Sequence, residues 1–234
     1  MKENKLIVAL DVSSFKEAET LVKVLSPAVK LFKVGKELFT AEGPRAVEMI
    51  HAHGAKVFLD LKFHDIPNTV ASACEAAAKM GVFMLNVHTL GGKQMMVSAV
   101  QALHKTAQAT GKPAPILLGV TVLTSMTEND LREVGIVKKL DKQVEDMAEL
   151  AKICGLDGVV ASGQEIEAIR KVTGSDFKIV TPGVRPAWAA HGDQKRIVTP
   201  REAMERGASF IVVGRPITQS QNPLEAAEKI LKEM

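Results

Sequence analysis

The stretch FLDLKFHDIPNT, residues 58–69, begins like a buried strand and ends at the first turn of a helix. Asp60 and Lys62 interrupt its apolar residues, and Asp65 follows within the same stretch. Because successive side chains of a strand point to opposite faces, Asp60 and Lys62 share one face and the leucines beside them share the other. The stretch therefore predicts a strand that packs against helices on one face and presents charged groups on the other.

Short apolar runs of the same kind recur along the chain. They occupy residues 6–10, 29–34, 56–61, 82–87, 115–120, 157–161, 177–181 and 209–214. Continuous apolarity rich in Val and Ile is typical of parallel strands that are covered on both faces. Helical patterns fill most of the gaps, at 14–25, 44–54, 67–81, 92–109, 140–154, 163–172, 200–206 and 222–233.

Eight strand–helix units in 234 residues predict a (β/α)8 TIM barrel of the ribulose-phosphate-binding type. No linker or change in composition interrupts the chain, so we expect one domain over residues 1–234. An open doubly wound sheet is the alternative. Against it, the sequence contains no Gly-x-Gly, which the dinucleotide fingerprint of that fold requires.

The composition of the chain indicates which cellular compartment and which classes of partner to expect. The net charge is +3, from 30 basic and 27 acidic side chains, which does not indicate a nucleic-acid partner. Neither Cys74 nor Cys154 belongs to a Cys-x-x-Cys motif, which favours a reducing compartment. No run approaches the ~20 apolar residues of a membrane helix. We therefore expect a cytoplasmic protein without a membrane partner.

Polar residues follow the predicted strands at their carboxyl ends, where TIM barrels build active sites. In chain order these are Asp11, Lys33, Asp60 with Lys62, His88 with Thr89, Thr121, Ser162, Thr181, and Gly214 with Arg215. Because strands 2 and 3 are neighbours in such a barrel, Lys33, Asp60 and Lys62 are predicted to form a row of alternating charge. The row indicates a preorganised electrostatic site with a lysine as proton donor, or else a structural salt-bridge network.

A phosphate site is predicted after the last two strands, its usual place in a TIM barrel. In VVGRPIT, residues 212–218, the glycine allows backbone N–H groups to approach an oxyanion, and Arg215 can bind phosphate through two hydrogen bonds. A long segment separates TPGVRP, residues 181–186, from Thr199. Its length predicts a lid over the site, with a variable surface loop as the alternative.

These motifs resemble the orotidine 5′-phosphate decarboxylase family. Its Asp-x-Lys-x-x-Asp signature is present as Asp60, Lys62 and Asp65. The resemblance covers nearly the whole chain in the family's order and is closest to the compact bacterial form. Further matches are ALD at 9–11, KVGKELF at 33–39, NVH at 86–88, LTS at 123–125, DGVVAS at 157–162, TPGVRP at 181–186, DQKR at 193–196 and VVGRPI at 212–217.

The resemblance implies conversion of orotidine 5′-phosphate to uridine 5′-phosphate and carbon dioxide, the last step of de novo UMP synthesis, with no cofactor or metal. It implies that Lys62 protonates C6 and that Asp60 lies near the substrate carboxylate and holds Lys62. It also implies that Lys33 pairs with Asp60 and that Asp65 acts from the other subunit of a homodimer. The implied substrate-binding residues are Asp11, Lys33, Asp60, Lys62, Asp65, Ile66, Thr69, Thr124, Ser162, Pro182, Arg185, Gln194, Gly214 and Arg215.

Two other functions stay open at this stage. Metal-dependent sugar-phosphate decarboxylases and aldolases of the same barrel group share the signature, but they carry a magnesium-binding glutamate where this chain has Lys33. A cation at that position disfavours a metal. A non-catalytic nucleotide-phosphate binding protein would need the phosphate site without the charged row, so Asp60 and Lys62 disfavour it.

Overall fold

A computed structural model describes residues 5–189 and 198–234 of the chain. The described residues form eight parallel strands that close into a barrel in sequence order. The strands are β1 Leu6–Ala9, β2 Leu31–Gly35, β3 Lys56–Phe63, β4 Met84–His88, β5 Ile116–Val120, β6 Gly158–Val160, β7 Lys178–Thr181 and β8 Phe210–Val213. The predicted TIM barrel is therefore confirmed, and the open doubly wound sheet is wrong.

Helices follow the strands around the outside of the barrel. They are α1 Phe15–Leu25, α2 Lys36–Glu42, α3 Arg45–Ala52, α4 Pro67–Lys79, α5 Gly92–Thr110, α6 Glu128–Glu133, α7 Leu140–Ile153, α8 Ile166–Thr173, α9 Pro200–Glu205, α10 Arg215–Thr218 and α11 Pro223–Glu233. Short helices show an apolar period poorly: the sequence did not predict α2, α6 and α10, which have four to seven residues, although it did predict α9, which has six. Within the described ranges, no helix is both long and apolar enough to cross a membrane.

Helix α1 shows how the local sequence sets the packing. The Ser14 side chain accepts a hydrogen bond from the backbone N–H of Glu17 and so caps the helix. The residues that α1 buries recur at helical spacing and are Ala18, Leu21, Val22 and Leu25. They pack in the apolar layer that lies between the barrel and its helices.

The alternation predicted for β3 places its side chains in two separate apolar layers. Leu59 belongs to the large layer between strands and helices, whereas Phe58 belongs to a smaller cluster of inward-facing residues. That inner cluster also contains Leu31 of β2, two residues before Lys33. Because side chains repeat their direction every second residue, Lys33 follows Leu31 and Asp60 follows Phe58 on the inner faces of β2 and β3, nearer the carboxyl ends of the strands. The barrel thus brings these two charged groups to the same opening.

Candidate active site

Four charged side chains form a continuous row across the carboxyl ends of β1, β2 and β3. Lys33 Nζ lies 2.7 Å from Asp11 Oδ1 and 3.4 Å from Asp60 Oδ2. Lys62 Nζ lies 2.7 Å from Asp60 Oδ1. The row of Lys33, Asp60 and Lys62 predicted from the sequence is therefore present, and Asp11 extends it by one carboxylate.

Burial makes the two central charges of the row depend on their neighbours. Lys33 and Asp60 are each only 9% exposed. Burial alone would lower the pKa of Lys33, but the carboxylates of Asp60 and Asp11 outweigh it and raise that pKa above its ordinary value. Burial alone would raise the pKa of Asp60, but Lys33 and Lys62 outweigh it and lower that pKa. Both groups therefore stay charged at neutral pH.

Asn86, in the middle of β4, joins this network although the sequence analysis gave it no role. Its side chain is fully buried. Its Nδ2 donates to Asp60 Oδ1 at 2.7 Å, and its Oδ1 accepts from the backbone N–H of Lys62 at 2.8 Å. One amide inside the apolar run VFMLNV, residues 82–87, was the available signal, because a buried amide requires partners.

The end of β3 departs from a regular strand, which corrects the simple alternation used to place Lys62. Leu59 pairs with Leu85 and Phe63 pairs with Val87, so four steps along β3 match two steps along β4. Within this irregularity, Lys62 has a φ of 52°, the one positive φ among the described non-glycine residues. Asp60 and Lys62 do reach the same opening, but a bulge with left-handed backbone brings Lys62 there rather than period-two geometry alone.

Two histidines lie beside Lys62. The rings of His64 and His88 are 5.4 Å apart between centroids. Burial lowers the pKa of His88 to about 4, and electrostatic repulsion from His64, Lys36 and Lys62 adds to the effect against an opposing contribution from Asp60. His88 is therefore neutral at neutral pH and adds no charge to the row.

A cleft runs from the charged row toward the end of β8. Its first part is a cavity of about 390 Å³ in which Lys33, Asp60 and Lys62 face an otherwise largely apolar wall. The remaining lining residues of this part are Lys36, Phe58, Val120, Val122, Leu123, Thr124, Ser125, Val160, Ala161, Pro182 and Val212. An apolar wall with charges at one edge suits a flat ring that carries one reacting charged group.

The cleft continues into two more cavities that share lining residues with one another. The middle one, about 450 Å³, contacts Asp11, Lys33, Asp60, Gly214 and Arg215. The outer one, about 330 Å³, shares Arg185, Arg215 and Gln219 with the middle one and adds Trp188. Two arginines at the end remote from Lys62 make this part of the cleft suited to an anion.

The predicted site residues divide into four groups in the structure. Nine line the cleft: Asp11, Lys33, Asp60, Lys62, Thr124, Pro182, Arg185, Gly214 and Arg215. Asp65, Ile66 and Thr69 are exposed at the start of α4 and do not line it. Ser162 is fully buried, its backbone N–H donates to Glu165, and it is not among the lining residues. Gln194, and most of the segment predicted as a lid, lie outside the described residues.

Two other polar residues at the strand ends, Thr89 and Thr121, have structural partners. The hydroxyl of Thr89 donates to the carbonyl of Val120 at 2.8 Å, and that of Thr121 donates to Val160 at 3.0 Å. These bonds join adjacent strands at the carboxyl end of the barrel, so we assign both threonines a structural role beside the site. Within residues 5–189 and 198–234, no cluster of three or more His, Cys, Asp or Glu side chains is arranged to hold a metal ion.

The left-handed conformation of Lys62 generates a prediction about stability. A side chain with a Cβ costs about 1 kcal/mol or more at such a φ, whereas glycine does not. We expect Lys62→Gly to have a higher free energy of unfolding than Lys62→Ala by about 1 kcal/mol, measured by urea denaturation. Both variants lose the ammonium, so this loss cancels in the comparison.

The matched control is Lys56, at the regular beginning of the same strand. There Lys56→Gly should be less stable than Lys56→Ala, because glycine weakens an ordinary strand. The same order at both positions would show that the conformation of Lys62 carries no strain.

Comparison with known proteins agrees with the barrel fold and identifies the family. A family model described as "Orotidine 5'-phosphate decarboxylase / HUMPS family" matches residues 4–230. An orotidine 5′-phosphate decarboxylase of Moorella thermoacetica is 53% identical over 233 residues, which cover 99% of this chain and 92% of that protein. One of Syntrophotalea carbinolica is 54% identical over 230 residues, covering 98% of this chain and 94% of that protein.

A solved structure gives the same result. The crystal structure of orotidine 5′-phosphate decarboxylase from Lactobacillus acidophilus superposes with a TM-score of 0.88 at 41% sequence identity, covering 99% of both chains. The family match spans nearly the whole sequence, and it includes every residue of the charged row. This chain belongs to the orotidine 5′-phosphate decarboxylase / HUMPS family.

Proposed function

We propose that this chain decarboxylates orotidine 5′-phosphate to uridine 5′-phosphate in pyrimidine biosynthesis, with Lys62 as proton donor and without a metal or cofactor. The family and the names of its relatives support the reaction. The observation that carries the mechanism is the contact of Lys62 Nζ with Asp60 Oδ1 at 2.7 Å, at the edge of an apolar cavity.

The chemistry explains why such a contact is needed. In this reaction the bond between C6 and the carboxylate carbon breaks, carbon dioxide leaves, and the electron pair stays on C6. No carbonyl is placed to accept that pair, so the carbanion is high in energy. A fixed ammonium beside C6 stabilises the developing charge and then transfers its proton to the carbon. We assign this role to the ammonium group of Lys62, which regains a proton from solvent after turnover.

Asp60 has two roles in this proposal. Its hydrogen bond holds the Lys62 ammonium in one position, which saves the entropy of ordering a flexible side chain during reaction. Its negative charge also lies where the carboxylate of the substrate would enter, so loss of neutral carbon dioxide relieves repulsion between two anions. Lys33 pairs with Asp60 on the other side and keeps it ionised when the substrate binds.

The rest of the cleft provides binding energy remote from the reacting carbon. In this proposal the apolar wall receives the pyrimidine ring, Asp11 binds ribose hydroxyls, and Arg185, Arg215 and the Gly214 backbone bind the phosphate, which the order of these residues along the cleft supports. Following the family resemblance, we also assign Gln194 to the phosphate and Ser162 to the pyrimidine. Remote contacts of this kind can offset the cost of forcing the substrate against Asp60.

We further propose that the active form is a homodimer in which Asp65 of one subunit completes the site of the other. Asp65 and Thr69 are exposed and lie outside the cleft of their own chain, and neighbouring Ile66 is 66% exposed. The family resemblance, together with the exposure of these residues outside their own cleft, supports this proposal. Asp65 would then add a carboxylate to the far side of Lys62.

A metal-dependent reaction in the same barrel is the rival function. A divalent cation would need carboxylates free to coordinate it. In this chain the carboxylate of Asp60 is flanked by the ammonium groups of Lys33 and Lys62. These cations would repel a metal, so the charged row favours the metal-free reaction.

The role of Lys62 is tested by the Lys62→Ala variant. We expect its turnover of orotidine 5′-phosphate to fall by about 10⁴-fold or more, because the variant loses both the proton donor and the electrostatic stabilisation. Its affinity for uridine 5′-phosphate should stay measurable by calorimetry, since the phosphate end of the cleft is unchanged. Lys56→Ala, at the opposite end of the same strand, should keep wild-type turnover. A Lys62→Ala variant with near-normal turnover would contradict the role.

The shared site is tested by mixing two inactive variants. Lys62→Ala and Asp65→Ala should each lack activity alone. Unfolding and refolding them together should produce heterodimers in which one site has both Lys62 and the partner's Asp65. Random pairing should then restore about a quarter of wild-type activity, because half of the dimers are mixed and each carries one intact site. Absence of recovery, with heterodimers shown by native mass spectrometry, would mean that Asp65 does not act across subunits.

A further inference from the structure

Asn86 is a neutral side chain that forms hydrogen bonds with both the carboxylate of Asp60 and the backbone of Lys62. It is fully buried in β4, between Leu85 and Val87 of the apolar layer outside the barrel. Its amide uses both ends: Nδ2 donates to Asp60 Oδ1, and Oδ1 accepts from the backbone N–H of Lys62. Asp60 Oδ1 is also the atom that accepts from Lys62 Nζ. A single carboxylate oxygen thus receives both donors.

The backbone bond occurs where the β3–β4 ladder is irregular. The regular pairing at Leu59 resumes only at Phe63. Between them, Lys62 adopts a φ of 52°. Left-handed backbone is costly for a residue with a Cβ, so surrounding bonds must hold it there. The Asn86 side chain provides such a bond at the residue that is strained.

We infer that Asn86 is a positioning residue, which fixes the left-handed backbone of Lys62 and the orientation of Asp60 so that the ammonium stays directed at the reacting carbon. The inference rests on the proposed function, because it assigns Asn86 a task only if Lys62 is the proton donor. Asn86 is not a catalytic residue in this account, since it lines none of the three cavities described above. It acts through Asp60 and Lys62.

The chemistry of the amide explains why other residue types would not serve. Asparagine offers one donor and one acceptor on the same carbon. Aspartate would keep the acceptor for Lys62 N–H, but it would place a second carboxylate against Asp60 Oδ1. Alanine would remove both partners and leave the Lys62 N–H unsatisfied in a buried place.

Two substitutions at Asn86 separate positioning from general stability. In Asn86→Ala we expect kcat to fall about 100-fold, the loss that a displacement of about 1 Å can cause. KM and the affinity for uridine 5′-phosphate should change by less than about threefold, because the phosphate contacts are intact. A lower kcat with an unchanged KM indicates a defect at the reacting carbon.

Asn86→Asp adds a readout that a purely structural role would not produce. The new carboxyl faces Asp60 and Lys62 of β3, with Lys33 on β2 beyond Asp60, and with His88 on β4 beside His64 and Lys36. Burial and the charge of Asp60 should raise the pKa of the new carboxyl, and the lysines should partly oppose them. Below that pKa the carboxyl is protonated and can donate to Asp60 as the amide does. The variant's kcat, divided by that of the wild type, should therefore fall as pH rises.

Ser209→Ala is the matched control. Ser209 also joins neighbouring strands through its side chain, accepting from the Ile179 N–H and from Arg170, but at the opposite end of the barrel. We expect it to lower the melting temperature and leave kcat unchanged. A wild-type kcat in Asn86→Ala would overturn the inference, as would an equal loss of kcat in Ser209→Ala. If Asn86→Ala does not fold, a ratio for Asn86→Asp that is flat across pH would overturn it.

Measuring Lys62→Ala in the same assay distinguishes the two proposals. If Lys62→Ala is inactive and Asn86→Ala is normal, the positioning inference alone is wrong. If Lys62→Ala keeps full turnover, the proposed role of Lys62 is wrong and the inference falls with it.

Discussion

The structure of the site depends on one buried carboxylate, that of Asp60. A charge taken out of water is costly unless opposite charges and hydrogen bonds surround it. Asp60 has all of these: Lys33 on one side, Lys62 on the other, and the amide of Asn86. Lys33 comes from β2, Asn86 comes from β4, and Lys62 lies beyond a bulge in β3. The ionised carboxylate therefore requires correct pairing of β2, β3 and β4, and it couples the fold directly to the chemistry.

The carboxylate of Asp60 also connects the proposed roles of the two ends of the cleft. Near Asp60 the charges are largely buried beside an apolar wall, where electrostatic interactions are stronger than in water. The end that we propose binds the phosphate, with Arg185 and Arg215, lies along the cleft and away from Lys62. Binding energy gained there can hold a substrate carboxylate against Asp60. In the proposed mechanism, the fixed row of charges acts at the reacting carbon, and the distant arginines bind the phosphate.

The sequence predicts the barrel well because the continuous apolar run of each strand indicates by itself that the strand is buried. The pairing of Lys33 with Asp60 also follows, from alternation and the adjacency of β2 and β3. The bulge at Lys62 does not follow, because a change of register depends on the partner strand rather than on the apolar pattern of β3. Asn86 was missed for the same reason, since its two bonds cross between strands. The position of Asp65 across a dimer and the cytoplasmic setting remain predictions from the resemblance and composition.

The most direct test of the account is turnover of orotidine 5′-phosphate by the purified protein in excess chelator, followed by the loss of orotate absorbance. The account assigns the chemistry to a row of charged side chains, so it predicts the same rate with and without the chelator. Turnover that the chelator abolishes and added Mg²⁺ restores would contradict the metal-free mechanism. Absence of turnover under both conditions would contradict the proposed reaction itself.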